Sequence, residues 1–242
     1  MDQGRLPDFL GIGAVKAGTT WLYRNLYQHP ALYQPVTKPV RYFDRHIAKP
    51  IETYQAIFSP AGDRVCGEFS ASYSVLPAET IGMIHALMPR LKLIFLMREP
   101  KSRAWSEAKM EFAVVRGLGS TPISDHEYCD FMCSSQCRTR GDYGTILTQW
   151  WRVFPKAQIF VGLFDDVRER PCELLREVLE FLQVSGDTDF SGYPLNEKIF
   201  AGASIPMPAR CRDLLDDMYK TRQIRELGDV VGIDLVRRWG YQ

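Results

Sequence analysis

The residues best suited to chemistry lie in one short stretch, Gly-Ala-Val-Lys-Ala-Gly-Thr-Thr at positions 13–20. An apolar segment precedes this stretch and a helix-compatible segment follows it, which indicates a strand, a loop and the start of a helix. A helix start presents free backbone N–H groups and the positive end of the helix dipole, and both bind phosphate or sulfate. Lys16, Thr19 and Thr20 add an ammonium and two hydroxyl donors. The sequence therefore predicts an anion-binding loop.

The spacing of this loop differs from that of the common nucleoside triphosphatases. Gly13 and Gly18 have the four-residue gap of a Walker A loop, but Thr19 follows Gly18, and the lysine lies inside the loop as Lys16. This loop therefore gives only weak support to the hypothesis of a P-loop kinase. A tight strand-to-helix turn capped by threonine remains an alternative for these residues taken alone.

A second set of anion-binding side chains follows the most apolar segment, Lys92–Met97, which has the composition of a strand buried on both faces. Arg98 comes next and offers a bidentate fork for phosphate. Ser106 lies about two helical turns further on and adds a hydroxyl. Ligands bind at the carboxyl ends of parallel strands, so two strand ends would hold two separate phosphates of one nucleotide. Surface charge around a helix start is the plainer alternative.

These motifs require a sheet with its strands connected through helices. The apolar patterns predict strands at 7–13, 64–69, 92–97 and 158–164, and helices at 20–28, 78–88, 101–115, 143–154 and 171–182. Strands that alternate with helices favour right-handed crossovers and a parallel sheet covered on both sides. We therefore expect an α/β protein with a P-loop-like three-layer fold, in which helices flank a central, mainly parallel sheet.

Composition narrows the function. A formal net charge of +1 argues against a protein that coats nucleic acid, which needs a clustered basic excess. The longest apolar stretch is far too short to cross a membrane. The first residues lack the pattern of a secretory signal, so we expect a cytoplasmic protein with free thiols. Cys129, Cys133 and Cys137 recur at every fourth position, but they lack the spacing of common zinc sites, and we expect no metal.

The two motifs together carry a family resemblance. Residues 16–23 resemble the 5′-phosphosulfate loop of the sulfotransferase superfamily that uses 3′-phosphoadenosine-5′-phosphosulfate (PAPS), and residues 98–106 resemble its 3′-phosphate motif. Further similar segments appear in the family's order at 29–30, 42–45, 68–73, 143–155 and 164–167. The resemblance is to the branch that contains bacterial and heparan-type glycan sulfotransferases.

The resemblance implies roles for individual residues. Lys16 would steady the leaving oxygen, and the 5′ group of PAPS would be held by Lys16, Ala17, Gly18, Thr19, Thr20 and Trp21. Arg98 and Ser106 would hold the 3′-phosphate. A late loop covers the nucleotide in this family, and Gly202 and Ser204 lie where that loop is expected. The product would be 3′-phosphoadenosine-5′-phosphate (PAP), with no metal required.

The residue that would act as general base toward the acceptor is missing from its usual position in the sequence. Glycan enzymes of this type commonly carry a glutamate directly after a lysine, and here Pro39 follows Lys38. The replacement candidates are Glu68, Asp44, His46 and His126; we favour Glu68 first and His46 second as catalytic residues. We expect Lys38, Arg41, Asp44 and His126 to bind the acceptor.

We accordingly expect one sulfotransferase domain over residues 1–242, with a lid or acceptor loop at 116–140 and a C-terminal helical segment at 184–242. Its reaction would be in-line transfer of a sulfuryl group from PAPS to a hydroxyl or amine of a small natural product or saccharide. A kinase and an inactive PAPS-binding homologue are the alternatives. A homodimer is left open.

Overall fold

The computed structural model describes residues 4–118, 121–184, 188–197 and 205–242. Contacts within the chain group it into two compact units. The first, which we call the sheet unit, comprises Met1–Met97 and Leu147–Ile199; the second, the helical unit, comprises Arg98–Ile146 and Phe200–Gln242. The single domain over 1–242 stays a prediction.

The sheet unit contains five strands, all parallel to their neighbours, in the order β2-β3-β1-β4-β5. They are β1 (Phe9–Gly13), β2 (Leu32–Tyr33), β3 (Val65–Phe69), β4 (Lys92–Met97) and β5 (Ile159–Leu163). Every residue of β1 is buried, as expected for a central strand covered on both faces. The parallel sheet predicted from the sequence is confirmed.

The helices of the described residues are α1 (Thr19–Tyr27), α2 (Ile51–Gln55), α3 (Ala78–Leu87), α4 (Pro100–Met110), α5 (Asp125–Cys133), α6 (Ser135–Gly141), α7 (Tyr143–Trp151), α8 (Asp166–Glu169), α9 (Pro171–Leu182), α10 (Ala209–Met218), α11 (Thr221–Val231) and α12 (Leu235–Trp239). Of the helices that the structure describes, none has the length and apolar character needed to cross a membrane. The apolar face predicted for α9 is buried, because its leucines and valine recur at helical spacing.

The helical unit has its own apolar core, formed by α4, α5, α6 and α10. Residues 116–140 were expected to form a loop, but most of them fold into α5 and α6. Ser124 and Glu127 form a capping box that starts α5, and the Ser134 hydroxyl caps α6. Local capping thus builds two short helices where the composition suggested irregular chain.

The helix break at Ser134 separates the three closely spaced cysteines. Cys129 and Cys137 are buried, and Cys133 is exposed, so they do not share one face. Cys129 Sγ instead lies 3.5 Å from Cys211 Sγ, which connects α5 to α10. Cys129, Cys137 and Cys211 therefore serve as small apolar side chains of this core.

A buried ion pair joins α4 to α6 within the same unit. Arg103 is fully buried and pairs with Glu107, which is 1% exposed. Arg103 Nη2 also donates to the carbonyl oxygen of Cys137 at 2.8 Å, and Arg140 Nη1 reaches Glu107 Oε1 at 2.5 Å. Each charge thus has an opposite partner, which offsets the cost of burial.

Candidate active site

The loop between β1 and α1 adopts a backbone conformation that few residues tolerate. Lys16 has φ 66° and Gly18 has φ 90°, both in the left-handed region. A Cβ at Gly18 would lie 2.9 Å from the Phe164 ring, so only glycine fits both the dihedral angle and the space. Ala14 N donates to Leu96 O at 2.8 Å, which ties the loop to β4.

The start of α1 has no side-chain cap. Gly18 is the N-cap residue and provides no side-chain hydrogen bond to the helix. The N–H groups of Thr19, Thr20 and Trp21 belong to the first turn, where no preceding carbonyl can accept them. Trp21 Nε1 donates to Leu195 O at 2.9 Å, so its side chain packs inward and leaves only its backbone N–H for a ligand. The start of α1 therefore has backbone N–H groups without an intrahelical partner, and the binding of an anion there stays a prediction.

Lys38 reaches this loop from a different part of the chain. Its Nζ donates to Thr20 Oγ1 at 2.8 Å. Burial lowers the pKa of Lys38 to about 7; the nearby Glu68 carboxyl opposes this shift, and Arg24 adds to it. We expected Lys38 to bind the acceptor, and its position now connects it to the anion-binding loop.

Glu68 lies at the end of β3 and is 1% exposed. The Ser70 hydroxyl donates to Glu68 Oε2 at 2.8 Å and accepts a hydrogen bond from Arg41 N at 2.9 Å. Burial raises the pKa of Glu68 to about 7, although hydrogen bonds from Ser70 and Tyr73 and the charge of Lys38 act in the opposite direction. The carboxyl is therefore close to half-ionised at neutral pH.

Arg41 and Asp44 form a local ion pair beside this network. Arg41 Nη2 and Nε donate to Asp44 Oδ2 at 2.8 and 3.1 Å. Asp44 Oδ1 is buried and has no hydrogen-bond partner among the residues that the structure describes. The predicted acceptor residues Arg41 and Asp44 thus lie with Lys38 and Glu68 in the sheet unit.

The two candidate histidines are placed differently. His46 is exposed at the end of a short π-helical turn, Tyr42–His46, in the sheet unit. His126 is in α5 of the helical unit, where its side chain is 66% exposed and pairs with Asp130 at 2.8 Å. Among the residues that the structure describes, no hydrogen bond joins either histidine to Lys38 or Glu68. The roles of His46 and His126 stay predictions.

Arg98 and Ser106 belong to the helical unit. The Tyr143 hydroxyl donates to Arg98 O at 2.9 Å and so fixes the backbone where α4 is about to begin. Glu99 caps α4 by accepting from Lys101 N at 3.0 Å and from Ser102 N at 2.7 Å. Arg98 and Ser106 are both half-buried. Gly202 and Ser204 lie outside the described residues.

Sequence reasoning missed the contacts that organise the site. Ser70 follows Glu68 by two positions, and the alternation of side chains along a strand is the signal that could have placed both on one side. The contact between Lys38 and Thr20 has no such signal, because it joins segments that meet only in the folded sheet unit.

Comparison with known proteins places these features in a family. The family model described as "Sulfotransferase domain" matches residues 6–191. A human protein named bifunctional heparan sulfate N-deacetylase/N-sulfotransferase 3 is 28% identical over 207 residues, covering 77% of this chain and 23% of the relative. The corresponding protein of Drosophila melanogaster is 24% identical and is matched over 20% of its length. The chain thus spans less than a quarter of these relatives.

Solved structures agree on the fold. A sulfotransferase from Alicyclobacillus acidocaldarius superimposes with a TM-score of 0.76 at 23% identity, covering 95% of this chain and 97% of that protein. The predicted P-loop-like α/β fold is therefore confirmed. Because the family match spans most of the chain and includes residues 13–20 and 98–106, this protein belongs to the sulfotransferase domain family, and the proteins it resembles include heparan-type and bacterial sulfotransferases.

Proposed function

We propose that this protein transfers a sulfuryl group from PAPS to a hydroxyl or amine of a saccharide or small natural product and releases PAP. The observation that carries the proposal is the uncapped start of α1 behind a loop held in the left-handed conformation at Lys16 and Gly18. Such a loop suits an anion approached by backbone N–H groups. Membership of the sulfotransferase family supports PAPS as the source of that anion.

The residues of the loop fit the 5′ end of PAPS. The N–H groups of Thr19 and Thr20 and their hydroxyls are donors for peripheral oxygens, and the half-buried ammonium of Lys16 supplies positive charge for the leaving oxygen. PAPS, when bound, supplies the activated sulfuryl group. Sulfuryl transfer resembles phosphoryl transfer in its loose transition state. A sulfuryl group carries less negative charge than a phosphoryl group, so these donors suffice to stabilise it without a metal ion.

We further propose that Arg98 and Ser106 bind the 3′-phosphate. This assignment is supported by the motif at residues 98–106, and a guanidinium is well suited to a phosphate because its fork donates two parallel hydrogen bonds. Gly202 and Ser204 are proposed for the loop that covers the nucleotide.

On the acceptor side, Glu68 is our first candidate for the general base and His46 the second. A pKa of about 7 suits a group that must accept and release a proton at neutral pH. The name of the human relative specifies N-sulfotransferase activity on heparan sulfate, which supports an amine of a saccharide as one acceptor class. A neutral amine also needs less help from a base than a hydroxyl.

The donor half of the proposal is tested by thermal unfolding with PAP or PAPS. A ligand at about 100 times its Kd stabilises a protein by about 2.7 kcal/mol, so the melting temperature should rise clearly. Lys16→Ala should reduce this rise, whereas Lys49→Ala should not, since Lys49 is exposed in the same unit. A wild-type protein whose melting temperature responds to neither nucleotide would overturn the proposal.

The catalytic half requires labelled PAPS and a panel of saccharide and small-molecule acceptors. Wild-type protein should transfer label to at least one acceptor, and Lys16→Ala should lose this activity. An inactive PAPS-binding homologue is one alternative, and it is favoured by Pro39 and by the enclosure of the Glu68 carboxyl. Binding of PAPS without transfer to any acceptor would select that alternative, and turnover of ATP with magnesium would point instead to a kinase.

A further inference from the structure

The ammonium of Lys38 occupies an unusual position. Its Nζ donates to Thr20 Oγ1 at 2.8 Å, and within the described part of the chain no carboxylate lies at ion-pair distance from it. An ammonium has three protons to donate. The positive charge of Lys38 and its two remaining N–H donors therefore lie beside the hydroxyl of Thr20, a residue that we assign to binding of PAPS.

The surroundings of Lys38 disfavour a charge that has no counter-ion. The rings of Tyr23 and Phe69, with centroids 5.5 and 5.8 Å from Nζ, attract the ammonium through their faces but do not neutralise its charge. Arg24 is a second cation nearby, and it is already paired with Glu197 at 2.9 Å. Glu68 is the nearby acidic group that acts on Lys38, but it is itself buried and close to half-protonated. Burial of an ammonium under these conditions costs free energy unless an anion compensates for it.

An anion held at the start of α1 would provide that compensation. Thr20 is in the first turn of α1, and the ammonium of Lys38 donates a hydrogen bond to its hydroxyl. An anion bound by the N–H and hydroxyl of Thr20 would therefore lie next to this ammonium. We propose that Lys38 is a second cationic ligand of the donor's 5′ anionic group, alongside Lys16. This inference rests on the proposed function and moves Lys38 from the acceptor side to the donor side.

Binding of an anion beside Lys38 should change the protonation of its amine. Without a ligand, Lys38 has a pKa of about 7, set by burial, by Arg24 and by the opposing charge of Glu68, with Tyr23 and Thr20 as its polar neighbours. A bound anion favours the charged form and raises this pKa. At about pH 8 the neutral amine therefore takes one proton from the buffer as the ligand binds. At about pH 6 it is already charged, and little uptake remains.

The test is calorimetric titration of the protein with PAP and with PAPS at about pH 6 and pH 8, in two buffers with different ionisation enthalpies. At about pH 8, wild-type protein should take up as much as about 0.9 more protons per ligand than Lys38→Met does. Lys38→Met should bind about 10- to 100-fold more weakly, as expected for a lost charge-assisted hydrogen bond. Lys38→Arg should keep most of the affinity and show no extra uptake, because a guanidinium stays charged.

The two ligands locate the contact. Weakened binding of both PAP and PAPS places Lys38 on the 5′-phosphate, and weakened binding of PAPS alone places it on the sulfuryl group; either result supports the inference. Unchanged affinity and unchanged proton uptake in Lys38→Met overturn it while the proposed function stands. Failure of the wild-type protein to bind either ligand would instead overturn the proposed function.

Two controls keep the result interpretable. Lys49→Met removes an exposed lysine of the same unit and should behave as wild type. Glu68→Gln should retain the uptake at about pH 8, which would show that the proton goes to Lys38 rather than to the neighbouring carboxyl. The far-ultraviolet circular dichroism of each variant verifies that it is folded.

Discussion

Replacing Glu68 by glutamine tests the assignment of a raised pKa to this buried carboxyl. Glutamine has nearly the same shape and keeps an oxygen that can accept the hydrogen bond from Ser70. It has no titrating proton in the relevant range. Comparison of the two proteins over pH therefore isolates the free energy of ionising Glu68.

The sign and size of the effect follow from the pKa of about 7 in the folded chain and 4.5 as the ordinary value. Below pH 4.5 the carboxyl is protonated in both states. Between pH 4.5 and about 7 it ionises in the unfolded chain but stays protonated in the folded one, so stability falls as the pH rises. At about 1.4 kcal/mol per pKa unit, the total loss is about 3 kcal/mol, and it is complete above about pH 7.

Urea unfolding followed by tryptophan fluorescence measures this difference. Glu68→Gln should gain about 3 kcal/mol relative to wild type between pH 4.5 and about 7.5. Glu79→Gln changes an exposed carboxyl of α3 in the same way and should run parallel to wild type. A constant difference between Glu68→Gln and wild type across this range would refute the reasoning, because it would mean that Glu68 ionises as freely in the folded chain as in the unfolded one.

Two further predictions concern stability. Gly18→Ala should destabilise the protein by about 2 kcal/mol or more in urea unfolding, because a left-handed φ costs an alanine about 1–2 kcal/mol and the Phe164 ring adds a clash. Gly82→Ala should stabilise the protein instead, because Gly82 is inside α3 and has open space around it. Equal effects at both sites would contradict this account. Arg103→Met should cost about 3–5 kcal/mol, since it leaves the buried Glu107 with one partner fewer, whereas Arg212→Met at an exposed site should change the urea midpoint little.

The sheet and its flanking helices could be predicted because their signals are local. The apolar run of β4 and the helical spacing of leucines in α9 are each contained in a few residues, and the loop before α1 is defined by its own glycines. The family resemblance covered the same segments. These features depend little on distant parts of the chain.

The missing parts depend on tertiary contacts or on small local signals. The approach of Lys38 to Thr20 requires that the chain after β2 return to the start of α1, which no local pattern encodes. The two helices within residues 116–140 depend on caps at Ser124 and Ser134, and the polar composition of the segment concealed them. The pKa values of Lys38 and Glu68 arise from burial, which only the folded structure reveals.

The hydrogen bonds of the Ser70 hydroxyl run in one direction, from Arg41 N to Ser70 and from Ser70 to Glu68. The Ser70 hydroxyl donates its only proton to Glu68 Oε2, and it accepts a hydrogen bond from Arg41 N. As long as Ser70 donates to Oε2, a proton added to the carboxyl resides on Oε1. Oε1 is buried and has no hydrogen-bond partner among the described residues. The two oxygens of the buried carboxyl therefore differ in role, because Oε2 is held as a hydrogen-bond acceptor and Oε1 is the oxygen that can take up a proton.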